Sequence, residues 1–247
     1  MESSSVAQVF LLALMTAVAT GLGALPFLFV KIITRGWLGA SDALASGLML
    51  AASFSLIYEG IAYGLWRALV GVVLGLGFIV LTRTLIQQDE HPTVFAQMGN
   101  LDARKALLIV GIMTLHSFTE GVGIGVSFGG GQAFGLFISL ALAVHNIPEG
   151  LAISLVLVPR GVGWLRATLW SIFSSLPQPL MAVPAFLFVE LFNPLLPIGL
   201  GFAGGAMIWM VFSELIPDAL EKASANLVAV VATLAVAAMI AFQFLIR

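Results

Sequence analysis

Apolar runs of about twenty residues, the length needed to cross a hydrocarbon core of about 30 Å as a helix, follow one another along almost the whole chain. Cutting at charges and turn signals gives eight of them, at roughly 6–30, 40–63, 68–86, 106–128, 132–158, 165–189, 195–216 and 227–246. Short breaks separate most: Arg35-Gly36, Gly129-Gly130-Gly131, Pro159-Arg160-Gly161 and Asn193-Pro194 are turn chemistry. Only the stretch from about Gln87 to Lys105 is long and polar. Charged residues make up 9% of the 247, against about 25% in soluble domains, and the mean hydropathy is +1.11. A soluble domain fits nowhere, and no β-barrel alternation is visible. The expected fold is a single all-α polytopic membrane domain over 1–247, with eight transmembrane helices. The N-terminal Met1-Glu2-Ser3-Ser4-Ser5 holds an acid and no base, unlike the positive start of a cleaved signal, so the first run reads as a permanent span.

The few charges orient the bundle. With both termini extracytoplasmic, the inner side collects Lys31, Arg35, Arg83, Arg104, Lys105, Arg160, Arg166 and Lys222. The outer side keeps Arg67 and Arg247. These are all 10 basic residues, and eight against two is a strong positive-inside asymmetry. Miscounting by one span would scramble it. Trp37, Trp66 and Trp164 near span ends fit an interfacial belt. A net charge of −2 offers no basic surface for nucleic acid. The absence of cysteine removes disulfides, thiolate nucleophiles and Cys-based metal sites.

An ionisable group at the bilayer centre costs about 2.5–3.5 kcal/mol on insertion scales and usually marks a function. The fourth span carries His116-Ser117-Phe118-Thr119-Glu120-Gly121, and the fifth carries His145-Asn146-Ile147-Pro148-Glu149-Gly150. In both, His and Glu stand at i and i+4, one turn apart on one face. At 1.5 Å per residue, His116 lies about 16 Å from the inner end of its span and His145 about 20 Å from either end of the next. Both pairs are therefore near the midplane on antiparallel neighbours, and together they make a square of two imidazoles and two carboxylates. One such pair alone would serve equally well as a structural hydrogen bond. Two at matched depth favour a ligand set. Neutral imidazole nitrogens with two carboxylates suit a 2+ ion in a low-dielectric site. Two histidines argue against an all-oxygen Mg²⁺ or Ca²⁺ cage, and missing cysteine weakens Cu(I). Zn²⁺, Fe²⁺, Mn²⁺, Co²⁺ and Cd²⁺ remain.

Pro148 cannot donate to the Val144 carbonyl, so the fifth helix is expected to kink there and free a backbone oxygen. Asn146 and Met49, also mid-span, are further candidate ligands, although a lone methionine more often fills a core. Gly121, Gly123 and Gly125, and the pairs Gly71/Gly75 and Gly201/Gly205, read as close-packing faces. Glu59 and Glu190 fall near outer span ends, where a carboxylate is solvated. Glu214, before Pro217 and Asp218, falls near an inner end, where solvation and a place on a metal exit path are equally good readings. His91 in the polar loop is a single residue, not a metal sink.

At these motifs the chain resembles the ZIP family of divalent metal transporters, as a short prokaryotic-type member. HNIPEG is a specific signature and HSFTEG its counterpart. GLMLAASF, SSLPQPL and GAMIWMVFSELIPDA also look like family segments, so the resemblance spans nearly the whole chain. It implies eight helices, both termini outside, and movement of a divalent metal into the cytoplasm, zinc first among the candidates. The metal is then cargo, and no separate cofactor is expected. It also implies His116, Glu120, His145, Asn146 and Glu149 as transport-site residues, Met49 as the second-span ligand and Glu214 towards the inner exit. Two positions depart. Ser117 and Gln178 stand where many members carry an amide or carboxylate that serves a second metal, and a hydroxyl and a neutral amide are weaker ligands. A complete binuclear centre is not expected. The expected partners are divalent metal ions and the lipid bilayer of the plasma (inner) membrane, with a homodimer left open. Two other classes use the same site: a membrane-embedded metalloenzyme, and a channel or receptor with a structural metal. The protease pattern H-E-x-x-H is absent, and the i, i+4 spacing with His first is not the E-x-x-H of di-iron bundles.

Overall fold

The computed structural model describes residues 5–29, 34–88 and 101–245, with the backbone alone for 85–88, 101–113, 115, 159 and 193. Lys31, His91 and Arg247 lie outside the described residues, as do the side chains of Arg104 and Lys105. Among the described residues every regular element is helical. Helix α1 is Val6–Leu22, capped by Ser5, whose hydroxyl accepts from the Gln8 N–H at 3.1 Å. Then come α2, Arg35–Gln88, α3, Leu101–Gly129, and α4, Gln132–Leu157. They are followed by α5, Trp164–Ser174, α6, Pro177–Leu191, α7, Leu196–Met210, α8, Ile216–Lys222, and α9, Ala225–Leu245. Among the described residues six stretches are long and apolar enough to cross a membrane: Val6–Leu28, Arg35–Thr84, Gln132–Leu157, Trp164–Leu191, Leu196–Lys222 and Ala225–Leu245. The protein is an all-α, multi-pass membrane protein.

The longest stretch is not one rod. Helix α2 has 54 residues, which would reach about 80 Å if straight. At Gly64 the backbone leaves the helix for an extended conformation (φ 163°, ψ 104°). The two limbs, 35–63 and 65–88, then run in opposite directions along α7. Gly204 of α7 packs on Ser53 and Ile57 of the first limb, while Gly201 and Gly205 pack on Ala68 and Val72 of the second. Gly71 and Gly75 meet the Ile198 and Phe202 backbone in turn. A methyl at any of these four second-limb and α7 glycines would enter a neighbouring main chain, so they are close-packing positions as expected.

Proline chemistry shapes the sixth and seventh spans. The stretch expected as one helix over 165–189 is instead α5 and α6 with a break at Ser175-Leu176. Pro177 and Pro179 have no N–H to give, and the chain tightens around them. The N–H groups of Ser175, Leu176 and Gln178 bond three residues back, to Ile172, Phe173 and Ser175, at 3.0–3.2 Å. In the seventh span Pro217 follows a π-helical turn, Val211–Leu215, that carries Glu214. Helix α4 continues through Pro148. Between α3 and α4, Gly131 takes the left-handed region (φ 119°) that glycine alone enters without strain.

The helices form two adjoining groups: α2, α7, α8 and α9, and α1, α3, α4, α5 and α6, which meet where α3 touches α7 and α2 touches α4. Polar contacts show which ends lie together. Tyr63 at the α2 reversal donates to the Gly130 carbonyl at 3.2 Å, and Arg67 to the Pro194 carbonyl at 3.5 Å. At the opposite end, Lys222 of α8 meets Asp42 of α2 at 2.9 Å, and Arg83 meets Glu214 at 2.9 Å.

Candidate metal site

The two motifs meet between α3 and α4. The Gly129–Gly131 turn folds these helices back on each other, and His116, Glu120, His145 and Glu149 each offer a ligand atom within 4.8 Å of the others. None is more than 2% exposed. His116 Nε2 and His145 Nδ1 stand 3.3 and 3.2 Å from the same oxygen, Oε1 of Glu120. The two rings are 5.8 Å apart and nearly perpendicular, at 86°. The expected square is therefore assembled.

Its polar atoms are conspicuously unsatisfied. Glu120 Oε1, both oxygens of Glu149, and Nδ1 of each histidine are buried and have no hydrogen-bond partner. A buried carboxylate without donors is costly. The lone pairs of two carboxylates and two imidazoles converging on one small volume are what a divalent cation would satisfy.

Glycines inside the motifs bring the other helices in. A β-carbon on Gly121, directly after Glu120, would collide with the main chain of Gln178, and one on Gly125 with that of Ala182. Gly150, directly after Glu149, lies against the Thr20 carbonyl, and Gly23 against the main chain of Leu151. So the glycine of each motif seats a neighbour: α6 on α3, and α1 on α4.

The remaining predicted positions take varied places. Gln178, fully buried, donates through Nε2 to Glu120 Oε2. Asn146 Nδ2 donates to Gln178 Oε1 at 3.1 Å and to the Thr16 carbonyl at 3.0 Å, leaving its Oδ1 unpartnered. Ser117 is fully buried with an unpartnered hydroxyl. Met49 is fully buried in the main apolar core. Glu214 stands apart from the four, held by Arg83, whose guanidinium also lies 5.3 Å from the centre of the Trp209 ring.

Sequence reasoning missed Thr16, Thr20 and Asp42. Thr16 Oγ1 reaches Gln178 Oε1 at 2.6 Å, and Ser175 donates to Thr20 Oγ1 at 2.8 Å. The signal was two threonines at i and i+4 in an apolar helix. It is weak, because threonine often bonds its own helix. Asp42, a lone acid early in a span, is 2% exposed.

The sequence model of the family described as ZIP zinc transporter matches residues 82–243. The chain belongs to this family. A putative zinc transporter of Arabidopsis thaliana is 50% identical over 244 residues, covering 98% of this chain. The chain spans only 39% of that relative's length. The zinc transporter GufA of Myxococcus xanthus is 34% identical over 219 residues, 83% of this chain and 86% of the relative. Zinc transporter ZIPB of Bordetella bronchiseptica is 36% identical over 219 residues, 81% and 69% respectively. The family is described as one of transporters, and these relatives are named as transporters.

Proposed function

We propose that this ZIP protein carries divalent transition-metal ions, zinc first and iron, manganese, cobalt or cadmium after it, across the plasma (inner) membrane into the cytoplasm. The carrying observation is the buried His116–Glu120–His145–Glu149 cluster, in which Glu120 Oε1, both Glu149 oxygens and one nitrogen of each imidazole lack hydrogen-bond partners. The relatives' names as zinc transporters support the same cargo. Ser117, the free Oδ1 of Asn146 and Met49 complement the four, and Glu214 marks the way out towards the cytoplasm.

Eight spans follow if the reversed α2 counts twice and α3 joins the six. The charge placement supports an orientation with both termini outside. Arg83 and Lys222, held at one end of the bundle, lie with Arg35, Arg160 and Arg166, whereas Arg67 lies at the other end. Positive charge accumulates on cytoplasmic ends.

Because each ligand holds the same ion, the four should act as a unit. In proteoliposomes containing the purified chain alone, Ala at any of the four should cut Zn²⁺ uptake at least tenfold. Double substitutions should cost little more than singles. Wild-type Zn²⁺ and Cd²⁺ uptake by His145→Ala with Glu149→Ala would remove the proposal.

A further inference from the structure

The amide of Gln178 has one orientation that its neighbours allow. The Thr16 backbone carbonyl can only accept, so Asn146 must turn its NH₂ towards it, at 3.0 Å. The same NH₂ faces Gln178 at 3.1 Å, so Gln178 must present its oxygen there. Thr16 Oγ1 approaches that oxygen to 2.6 Å. Its single proton has two acceptors in reach, this oxygen and the Ala13 carbonyl at 2.7 Å, and donation to Gln178 is the arrangement in which the closer contact is attractive. The Gln178 NH₂ is thereby left facing Glu120, where its bond to Oε2 is made. All four side chains are fully buried, so no solvent competes.

Resting on the transport reading above, we propose that Thr16, on a helix that supplies no ligand, is a positioning residue of the metal site. Its carbonyl, through Asn146, and its hydroxyl directly fix the polarity of the Gln178 amide. The amide NH₂ then occupies Oε2 of Glu120 as a neutral donor and leaves Oε1, between the two imidazoles, for the ion. Glu120 is a one-oxygen ligand, and the two glutamates balance a single 2+ charge. The relay holds the site to one ion per chain.

The test is equilibrium Zn²⁺ binding to the full chain in detergent, with metal content measured after dialysis, for wild type, Thr16→Val, Gln178→Ala and the double variant. Thr16→Val should raise the Kd about fivefold, the worth of one buried neutral hydrogen bond, and Thr16→Ser should return it to within about twofold. In the Gln178→Ala background Thr16→Val should change the Kd less than about twofold, because it acts through the amide. An undiminished fivefold effect in that background, or no effect of Thr16→Val alone, overturns the relay. Two ions per wild-type chain overturns the one-ion assignment. If Thr16→Val does not fold, Thr16→Ala carries the same cycle. Binding is read apart from flux, so a coupled cycle in a chain that moves no Zn²⁺ in vesicles upholds the relay and overturns the transport reading instead.

Discussion

Glu120 has two oxygens with two different partners, and this asymmetry decides what each neighbouring residue is worth. Oε1 faces both imidazoles and has no donor; Oε2 is taken by the Gln178 amide. Replacing that amide by a carboxylate sets two buried acids against each other, with Asn146 and Thr16 still donating to the far oxygen. The pair then needs a second cation or a proton to be tolerable. Gln178→Glu should therefore raise Zn²⁺ content at neutral pH from one towards two per chain, with uptake that saturates at lower metal and has a lower maximal rate. Unchanged stoichiometry, affinity and rate would place Gln178 outside the metal path. The clustering of His116, Glu120, His145 and Glu149 was legible because ionisable residues stand out in an apolar helix and their spacing repeats. Thr16 was not, because its importance lies in a contact 162 positions along the chain, and a threonine in a membrane helix carries no local sign of its partner.

Among elements, the prolines and glycines decide where helices break and how close they come. Pro177 and Pro179 could be read as disturbing the sixth span, but a complete break needs the three-residue-back bonds that the backbone found around them. The reversal of α2 was legible in outline as the gap between two apolar runs. It occurs at Gly64, the first residue of that gap, and both limbs then pack along α7. The sequence marks Gly121, Gly123 and Gly125 as a packing face of α3, and the structure adds that Gly150 plays the same part for α4. A methyl at Gly150 would enter the Thr20 carbonyl, pushing α1 off α4 and carrying Thr16 away from Asn146. Overpacking of this kind costs about 1–3 kcal/mol. Gly150→Ala should melt earlier in detergent and take up Zn²⁺ more slowly. Gly77→Ala, whose β-carbon meets nothing within 4 Å, should match wild type in both. Equal melting of the two variants would mean that α1 and α4 do not approach so closely in the membrane.

For the whole molecule, the proposed direction of transport depends on the sidedness of the bundle, and polar contacts at its two ends show which helix ends lie together. The α2 reversal, the α3–α4 turn and the start of α7 share one end through Tyr63 and Arg67. Asp42 with Lys222, and Arg83 with Glu214, gather the other ends. Helix α4, 26 residues long, covers about 39 Å and so joins one side to the other, from the Gly131 turn to Arg160. Residues flanking it must then be reachable from opposite faces. The chain has no cysteine, so single introduced thiols report without background. Ala133→Cys, exposed in the first turn of α4, should react with an impermeant maleimide added outside intact cells. Gly163→Cys, exposed just before α5 with nothing within 4 Å of its β-carbon, should react only after the membrane is opened. Labelling of both from one side would break the claim that α4 spans the bilayer. The reverse pattern would keep the span, turn the bundle over, and place Arg35, Arg83, Arg160, Arg166 and Lys222 outside. It would also reverse the direction proposed for metal past Glu214.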